Sequence, residues 1–327
     1  MLRRSFRIAG AALAALVLLA AAGAGWAWHR FQSPGPLVEQ AQLVIPRGGT
    51  EAIAAALDRA GVIDQPRLFA LAALATRGEG PLRAAEFGFP PGASMAEVLD
   101  ILRHGRPVQR RVTIPEGLTA RQIAAVLNRT EGLTGELPAF AEGAVLPETY
   151  AFRFGDDRAA LLRRAEAAML QALSEAWSSR AEGLPLATPR EALVLASIVE
   201  RETSVPEERP RIAAVFLNRL RAGMPLQSDP TVAYAAADGA VLERPLSRAD
   251  LDRDHPFNTY RVKGLPPAPI AAPGQAALRA VTRPATTDDL YFVADGSGGH
   301  AFARTLEEHN RNVARWREIE RRRGAGL

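Results

Sequence analysis

The chain has 327 residues, of which 47% are apolar and 23% are charged, as is typical of a globular protein with a substantial core. Its net charge is only +4, and no run of basic residues lies among aromatic residues. Both observations disfavour nucleic-acid binding. The absence of cysteine excludes disulfides, thiolate metal sites and a cysteine nucleophile, and the five histidines are scattered. The length predicts two folded units and a tail, and we expect neither a metal nor a cofactor.

The N-terminus predicts a membrane anchor. Three arginines among the first seven residues precede an uncharged stretch from Ile8 to Trp28, which is long enough to cross a hydrocarbon core of about 30 Å. Trp26 and Trp28 fall where an interfacial aromatic belt would lie, and the basic flank predicts a cytoplasmic N-terminus. The alternative is a cleaved signal peptide. Because the apolar stretch is long for one, we expect a retained single-pass anchor over residues 1–30.

A strand, a turn and a helix recur three times in the next part of the chain. In each copy a short apolar strand ends in a turn of proline and glycine, after which a Thr or Ser caps an amphipathic helix. The turns begin near Ile45, Phe89 and Ile114. They predict a small α+β module over residues 37–135, which serves either as a spacer or to bind glycan.

A buried helix that ends in two glutamates carries the main chemical signal. Thr188 and Glu191 predict its capped start, and the apolar run to Val199 predicts burial on nearly every face. Glu200 then loses hydration, which raises the pKa of its carboxyl and keeps the proton that a general acid needs. Glu202 points about 200° away on the helix, so at most one glutamate is catalytic and the other pairs with an arginine. Ordinary solvated helix-end charges are the alternative.

Several polar loops follow this helix, and their motifs resemble the endolytic murein transglycosylase family, also called YceG-like. The loops offer amides, hydroxyls and aromatic rings that suit a sugar-binding groove, although ordinary turn chemistry also explains each one. The likeness covers nearly the whole chain and rests on residues 197–203, 216–220, 226–232, 258–260, 264–267 and 290–296, and on Leu146-Pro147-Glu148-Thr149-Tyr150.

The resemblance implies an α+β fold throughout. It makes residues 37–135 a small LysM-like module, residues 140–315 a larger α+β catalytic domain, and residues 316–327 a basic tail. It also implies a single-pass protein of the bacterial inner membrane whose catalytic domain is periplasmic. Peptidoglycan glycan strands and peptidoglycan synthases are the implied partners.

The implied reaction is lytic cleavage of the MurNAc–GlcNAc β-1,4 bond of peptidoglycan, which leaves 1,6-anhydro-MurNAc ends and terminates or trims nascent strands. The family's catalytic glutamate corresponds to Glu200, and Glu202 is a second candidate. A single acid fits a reaction in which the C6 hydroxyl of the substrate is the nucleophile, since hydrolysis uses two carboxylates. We predict that the residues orienting the sugar are Gln227, Asp229, Tyr234, Asn258 and Tyr260.

Two other functions stay open. A non-catalytic peptidoglycan-binding anchor explains the three strand–turn–helix copies but leaves the helix ending at Glu200 unexplained. A hydrolase uses Glu200 together with Asp229 or Glu202 as its second carboxylate, and it leaves reducing ends instead of anhydro ends. Asp229 also has a plain structural explanation, since it can cap a turn before Pro230.

Overall fold

The computed structural model describes residues 2–324 and confirms a mixed α+β fold. Helices predominate in this part of the chain, and the short strands pair into three separate two-stranded sheets, β1–β2, β3–β4 and β5–β6. The helices are α1 Leu2–Gln32, α2 Thr50–Arg59, α3 Pro66–Ala75, α4 Met95–His104, α5 Ala120–Arg129, α6 Arg158–Ser178, α7 Pro189–Glu202, α8 Arg209–Arg221, α9 Asp229–Ala237, α10 Arg248–Asp252, α11 Gln275–Thr282 and α12 Leu306–Gly324. The strands are β1 Ala41–Val44, β2 Glu86–Phe89, β3 Arg110–Thr113, β4 Thr149–Phe152, β5 Tyr291–Ala294 and β6 His300–Ala303.

The N-terminal helix α1 has the length and composition of a membrane span. Its segment Gly10–Gln32 has 23 residues with a mean hydropathy of 1.9, and its most apolar stretch is not buried, although Phe31 near its end packs against the core of the first unit. At about 1.5 Å per residue this segment exceeds the thickness of a hydrocarbon core. The helix is therefore compatible with the predicted single-pass anchor, and its retention and orientation stay predictions.

The chain divides into two compact units. The first comprises the residues up to Arg110 together with Phe152–Gly155. Its core lies between the antiparallel pair β1–β2 and helices α2, α3 and α4, where Leu57, Phe69 and Phe87 are fully buried. The returning segment contributes Phe154, whose ring lies 5.3 Å from the Arg110 guanidinium.

The predicted strand–turn–helix copies are present, with one difference in capping. Ser94 accepts a hydrogen bond from the Glu97 amide and so caps α4, as expected. In the first copy the cap position is Gly49, and Thr50 is already inside α2. An extended glycine serves there because it places no side chain against the first turn.

Among the described residues, the second unit comprises 111–151 and 156–324, and α7 lies at its centre. Helix α7 packs against α6, α8, α9 and α11, and Leu195 and Ile198 on it are fully buried. The third strand–turn–helix copy lies in this unit, although the sequence grouped it with the first two. Its turn is held here because the Gly117 amide donates to the Ala272 carbonyl oxygen at 2.9 Å. The LysM-like character of the first unit stays a prediction.

Candidate active site

The two glutamates predicted as candidates lie in the last turn of α7 and have different surroundings. Thr188 caps the start of this helix by accepting a hydrogen bond from the Glu191 amide. The helix then continues without a break through Glu202, so side chains two residues apart leave it in nearly opposite directions. Glu200 points into the protein, whereas Glu202 remains partly exposed.

Glu200 is held in a buried ionic network. One carboxylate oxygen accepts a hydrogen bond from Nη2 of Arg209 at 2.9 Å, and the other accepts one from the Gly274 amide at 2.9 Å. Burial raises the pKa of Glu200, the Gly274 amide and Arg209 oppose that rise, and the nearby Glu116 carboxylate adds to it. Both carboxylate oxygens of Glu200 therefore have protein partners, and only 3% of its side chain is exposed.

Glu202 has the features of a general acid. The hydroxyl of Ser228 donates to its Oε2 at 2.8 Å. Burial raises the pKa of Glu202 to about 7, the Ser228 hydrogen bond opposes this rise, and the negative charge of Asp229 adds to it. A carboxyl with a pKa near neutrality holds a proton often enough to donate it and readily takes it back.

Asp229 and Tyr260 lie beside this carboxyl. The Tyr260 hydroxyl donates to Oδ1 of Asp229 at 2.6 Å. Asp229 is the first residue of α9 and is exposed. Burial raises the pKa of Tyr260, and the hydrogen bond to Asp229 raises it further, so the phenol keeps its proton. The pair adds a fixed hydroxyl and an accessible carboxylate to the site.

The loop before α9 positions Ser228 and Gln227. Ser228 is fully buried, and its amide donates to the Thr259 hydroxyl at 3.0 Å. Gln227 is exposed and has a left-handed backbone with φ of 53°, which a residue other than glycine adopts only at some cost. Its amide donates to the Thr259 carbonyl oxygen at 3.1 Å, which compensates part of that cost.

The other two predicted sugar contacts have different positions. Asn258 has no exposed surface, and its side-chain amide donates to the carbonyl oxygens of Leu251 and Arg253 at 2.9 and 2.8 Å. This geometry favours a role in holding the loop that carries Tyr260. Tyr234 is partly exposed, donates to Glu142 at 3.3 Å and lines a separate cavity beyond Asp229.

Sequence reasoning did not select several residues that the fold brings to the two glutamates. The positive charges of Arg219 and His300 lower the pKa of Glu202, and His300 is itself paired with Glu208 at 2.6 Å. Arg209 forms an ion pair with Glu200. The sequence predicted that one of the two glutamates would pair with an arginine. No periodic pattern marks such residues, because their partners lie on other elements of the fold.

No three His, Asp or Glu side chains are placed to hold a metal ion in the part of the chain that the structure describes. The side chains at the site offer three groups of different acidity. These are a carboxyl with a pKa near 7, an accessible carboxylate and a phenol. Together the fold and the site define a mixed α+β protein with two desolvated carboxyl groups at the end of a buried helix.

Comparisons with known proteins identify its family. The profile of the YceG-like family matches residues 43–315, and the chain belongs to this family. The endolytic murein transglycosylase of Bacillus subtilis is 39% identical over 170 residues, which are 52% of this chain and 46% of that protein. The endolytic murein transglycosylase of Streptococcus pneumoniae serotype 2 is 30% identical over 83% of this chain and 57% of its own length.

A solved structure is similar over most of the chain. The crystal structure of a yceG-like protein from Listeria monocytogenes superposes with a TM-score of 0.52 and 26% identity. The match covers 84% of this chain and 99% of that one. By contrast, the chain spans only about half the length of the curated relatives it matches.

Proposed function

We propose that this protein is an endolytic peptidoglycan lytic transglycosylase whose general acid and base is Glu202. The observation that carries the proposal is Glu202, a partly exposed residue whose desolvated carboxyl is held by Ser228 on one oxygen and has its pKa raised to about 7. The names of the relatives, endolytic murein transglycosylases, support the choice of substrate. Membership of the YceG-like family also supports peptidoglycan as the substrate.

The reaction needs only one protonated carboxyl. Glu202 gives its proton to the glycosidic oxygen, and the MurNAc C1–oxygen bond breaks as an oxocarbenium-like centre develops at C1. The Glu202 carboxylate then takes the proton of the C6 hydroxyl while that oxygen bonds to C1. The products are a 1,6-anhydro-MurNAc end and a free GlcNAc hydroxyl. Attack within one sugar replaces the second carboxylate and the water of a hydrolase.

Assigning the acid to Glu202 departs from what the family resemblance implied, which was Glu200 with Glu202 as a second candidate. Glu200 is less suitable because Arg209 and the Gly274 amide occupy its oxygens and its side chain is almost fully buried. A bond between two sugars in a long glycan strand has to reach the acid from solvent. Glu202 meets this requirement, and Glu200 then serves to hold α7 against α8.

The residues around Glu202 supply contacts for the sugars. In our proposal Tyr260 and Asp229, joined by a hydrogen bond of 2.6 Å, orient hydroxyl groups next to the scissile bond. Gln227 offers an exposed amide on the adjacent loop. Asn258 supports Tyr260 from beneath, since the Tyr260 amide donates to its Oδ1 at 3.0 Å.

The cellular setting is also part of the proposal. Helix α1 would hold the protein in the inner membrane of a bacterium, with everything after it in the periplasm, where the glycan strands lie. A membrane-tethered enzyme meets strands as they leave the membrane, which fits the trimming or termination of nascent strands. In our proposal its partners are peptidoglycan synthases, which act at the same face of the inner membrane.

The deciding experiment compares three forms of the full chain in detergent micelles: wild type, Glu202→Gln and Glu200→Gln. Each is incubated with purified peptidoglycan, and the products are analysed by mass spectrometry. Wild type is expected to release 1,6-anhydro-MurNAc ends. Glu202→Gln should lose at least about a hundredfold in rate, because general acid catalysis contributes that much or more.

Glu200→Gln tests the assignment and serves as the matched control. It is expected to keep measurable activity at a lower melting temperature. If Glu200→Gln is folded and inactive while Glu202→Gln is active, the acid is Glu200. Reducing ends from wild type would indicate a hydrolase with Asp229 as the second carboxylate. Binding to peptidoglycan without any cleavage would indicate a non-catalytic anchor.

A further inference from the structure

A second concave site opens next to the glutamate cluster. It is a cavity of about 210 Å³ in the second unit, lined on one side by Pro230 and Tyr234 of α9 and on another by Leu242 in the following loop. Ile270 forms part of its apolar surface, and Arg201 and Arg244 add two guanidinium groups. Ligand pockets usually exceed about 300 Å³, so this cavity fits a substituent of a larger ligand.

The two arginines of the cavity differ in how their charge is compensated among the described residues. Arg244 is neutralised, since it makes two hydrogen bonds to the Asp250 carboxylate at 2.6 and 2.9 Å. Arg201 is exposed and donates to the Gly117 carbonyl oxygen at 3.1 Å, and no ion pair joins it to a carboxylate among the described residues. The described lining contains no acidic side chain. An arginine with unused donors beside apolar walls is suited to a carboxylate.

The position of the cavity connects it to the proposed reaction. Arg201 lies between the two glutamates at the end of α7, and Pro230 directly follows Asp229 at the start of α9. A substituent bound in the cavity would therefore leave its parent sugar near Glu202. In peptidoglycan every second sugar carries a lactyl ether with a short acidic peptide, which combines apolar side chains with carboxylates.

We propose that this cavity binds the acidic stem peptide of the MurNAc residue, with Arg201 pairing one of its carboxylates. The inference rests on the proposed function and adds a specificity determinant to it. The peptide would fix which sugar lies next to the acid, because the peptide is found on one of the two alternating sugars only. Arg201 is then a binding residue that the reaction itself does not use.

The test measures kcat/KM on two substrates, glycan strands with their stem peptides and the same strands stripped of peptide by an amidase. Wild type is expected to prefer peptide-bearing strands by about tenfold, which is the value of one charge-assisted hydrogen-bonded contact. Arg201→Gln should bring this ratio close to one, and Arg201→Lys should keep part of it. Arg248→Gln is the matched control, since Arg248 is an almost fully exposed arginine outside the cavity.

A second variant guards against a structural effect at Arg201. Val241 lines the cavity and is 60% exposed, so Val241→Glu adds a negative charge without removing a buried contact. It should lower the ratio at least as much as Arg201→Gln. A wild type that cuts both substrates equally well, or a ratio that neither substitution changes, overturns the inference alone. A wild type that cuts neither substrate overturns the proposed function, and this inference with it.

Discussion

Glu200 and Glu202 show how the environment of a carboxylate determines what it can do. The first has its two oxygens bonded to Arg209 and Gly274, and the second accepts a hydrogen bond from the Ser228 hydroxyl on one oxygen. Both have raised pKa values because both are desolvated. Their partners therefore separate them, since Glu200 is ion-paired and has both oxygens occupied, whereas Glu202 forms no ion pair among the described residues.

The pH dependence of the rate follows from the protonated form of Glu202. With a pKa of about 7, kcat/KM should be level at acidic pH and fall as the pH rises through neutrality, because the proton to be donated is lost. Ser228→Ala removes a hydrogen bond that favours the ionised form, so the fall should move to higher pH. A pH–rate profile on purified glycan strands measures both effects.

Ser178→Ala is the control for this profile. Ser178 is exposed in the same unit and bonds only to the Glu175 carbonyl oxygen of its own helix. Its profile should coincide with that of wild type. A Ser228→Ala profile that does not shift, or that shifts to lower pH, would show that the titrating acid is a different group.

The sequence predicted the site residues unevenly. Glu200 and Glu202 were identifiable because an apolar helix ending in acids is visible as a pattern, and their divergence follows from helical geometry. The surroundings of Glu200 depend on Arg209, Glu116 and the amide of Gly274, which lie on three different elements or turns. Local patterns carry no information about such partners.

At the scale of elements, the end of α7 is fixed by a contact between helix and loop. Glu116, in the turn before α5, shares Arg209 with Glu200 at 3.3 Å, and Gly274 lies against the Glu116 carboxylate. A Cβ built on Gly274 would overlap that carboxylate. Because Gly274 has no side chain, α11 can start next to the point where Glu116 and Glu200 both contact Arg209.

This close approach predicts the effect of Gly274→Ala. The added methyl group should displace Glu116 and reduce the free energy of unfolding by about 1 to 2 kcal/mol, as overpacking does. The cost should be smaller in a Glu116→Ala background, because the obstructing carboxylate is gone. Chemical denaturation of the four proteins in the double-mutant cycle gives the coupling.

Gly49→Ala is a closely matched control for that cycle. Gly49 precedes α2 with φ and ψ of −72° and 169°, Gly274 precedes α11 with −76° and 170°, and nothing lies within 4 Å of a Cβ at Gly49. Any cost common to both substitutions reflects the helix cap itself. If the two glycines are equally tolerant of alanine, the Glu116 contact contributes nothing to stability.

Elements were predicted more fully than their arrangement. Proline–glycine turns predicted the three strand–turn–helix copies, and the expected caps Ser94, Thr119 and Thr188 are present at α4, α5 and α7, whereas Gly49 caps α2. The third copy nevertheless belongs to the second unit. This follows from backbone pairing between its turn and Ala272, two segments far apart in the sequence.

For the whole molecule, the absence of cysteine allows a direct test of topology. Single cysteines are introduced at Leu16 in α1 and at Leu170 on the exposed face of α6, which are 66% and 69% exposed. With a membrane-impermeant maleimide, intact bacteria expressing the full chain should show labelling of Leu170→Cys. Leu16→Cys should react only after detergent is added, because lipid covers it.

Other labelling patterns would contradict this topology. If Leu170→Cys reacts only after lysis, the second unit lies in the cytoplasm. If the mature protein carrying Leu16→Cys lacks the N-terminal segment by mass, the helix is a cleaved signal peptide. The cysteine-free wild type gives the background of the assay.

The discontinuity of the first unit has a consequence for the order of events at the ribosome. Phe152–Gly155 belongs to this unit, with Phe152 buried and Phe154 against Arg110, yet it is synthesised only after residues 111–151 of the second unit. Domains generally fold as units once their sequence has emerged. The N-terminal unit must therefore wait, incomplete, until part of its neighbour has been made. A translation product that ends at Arg110 lacks the last piece of the unit's own structure.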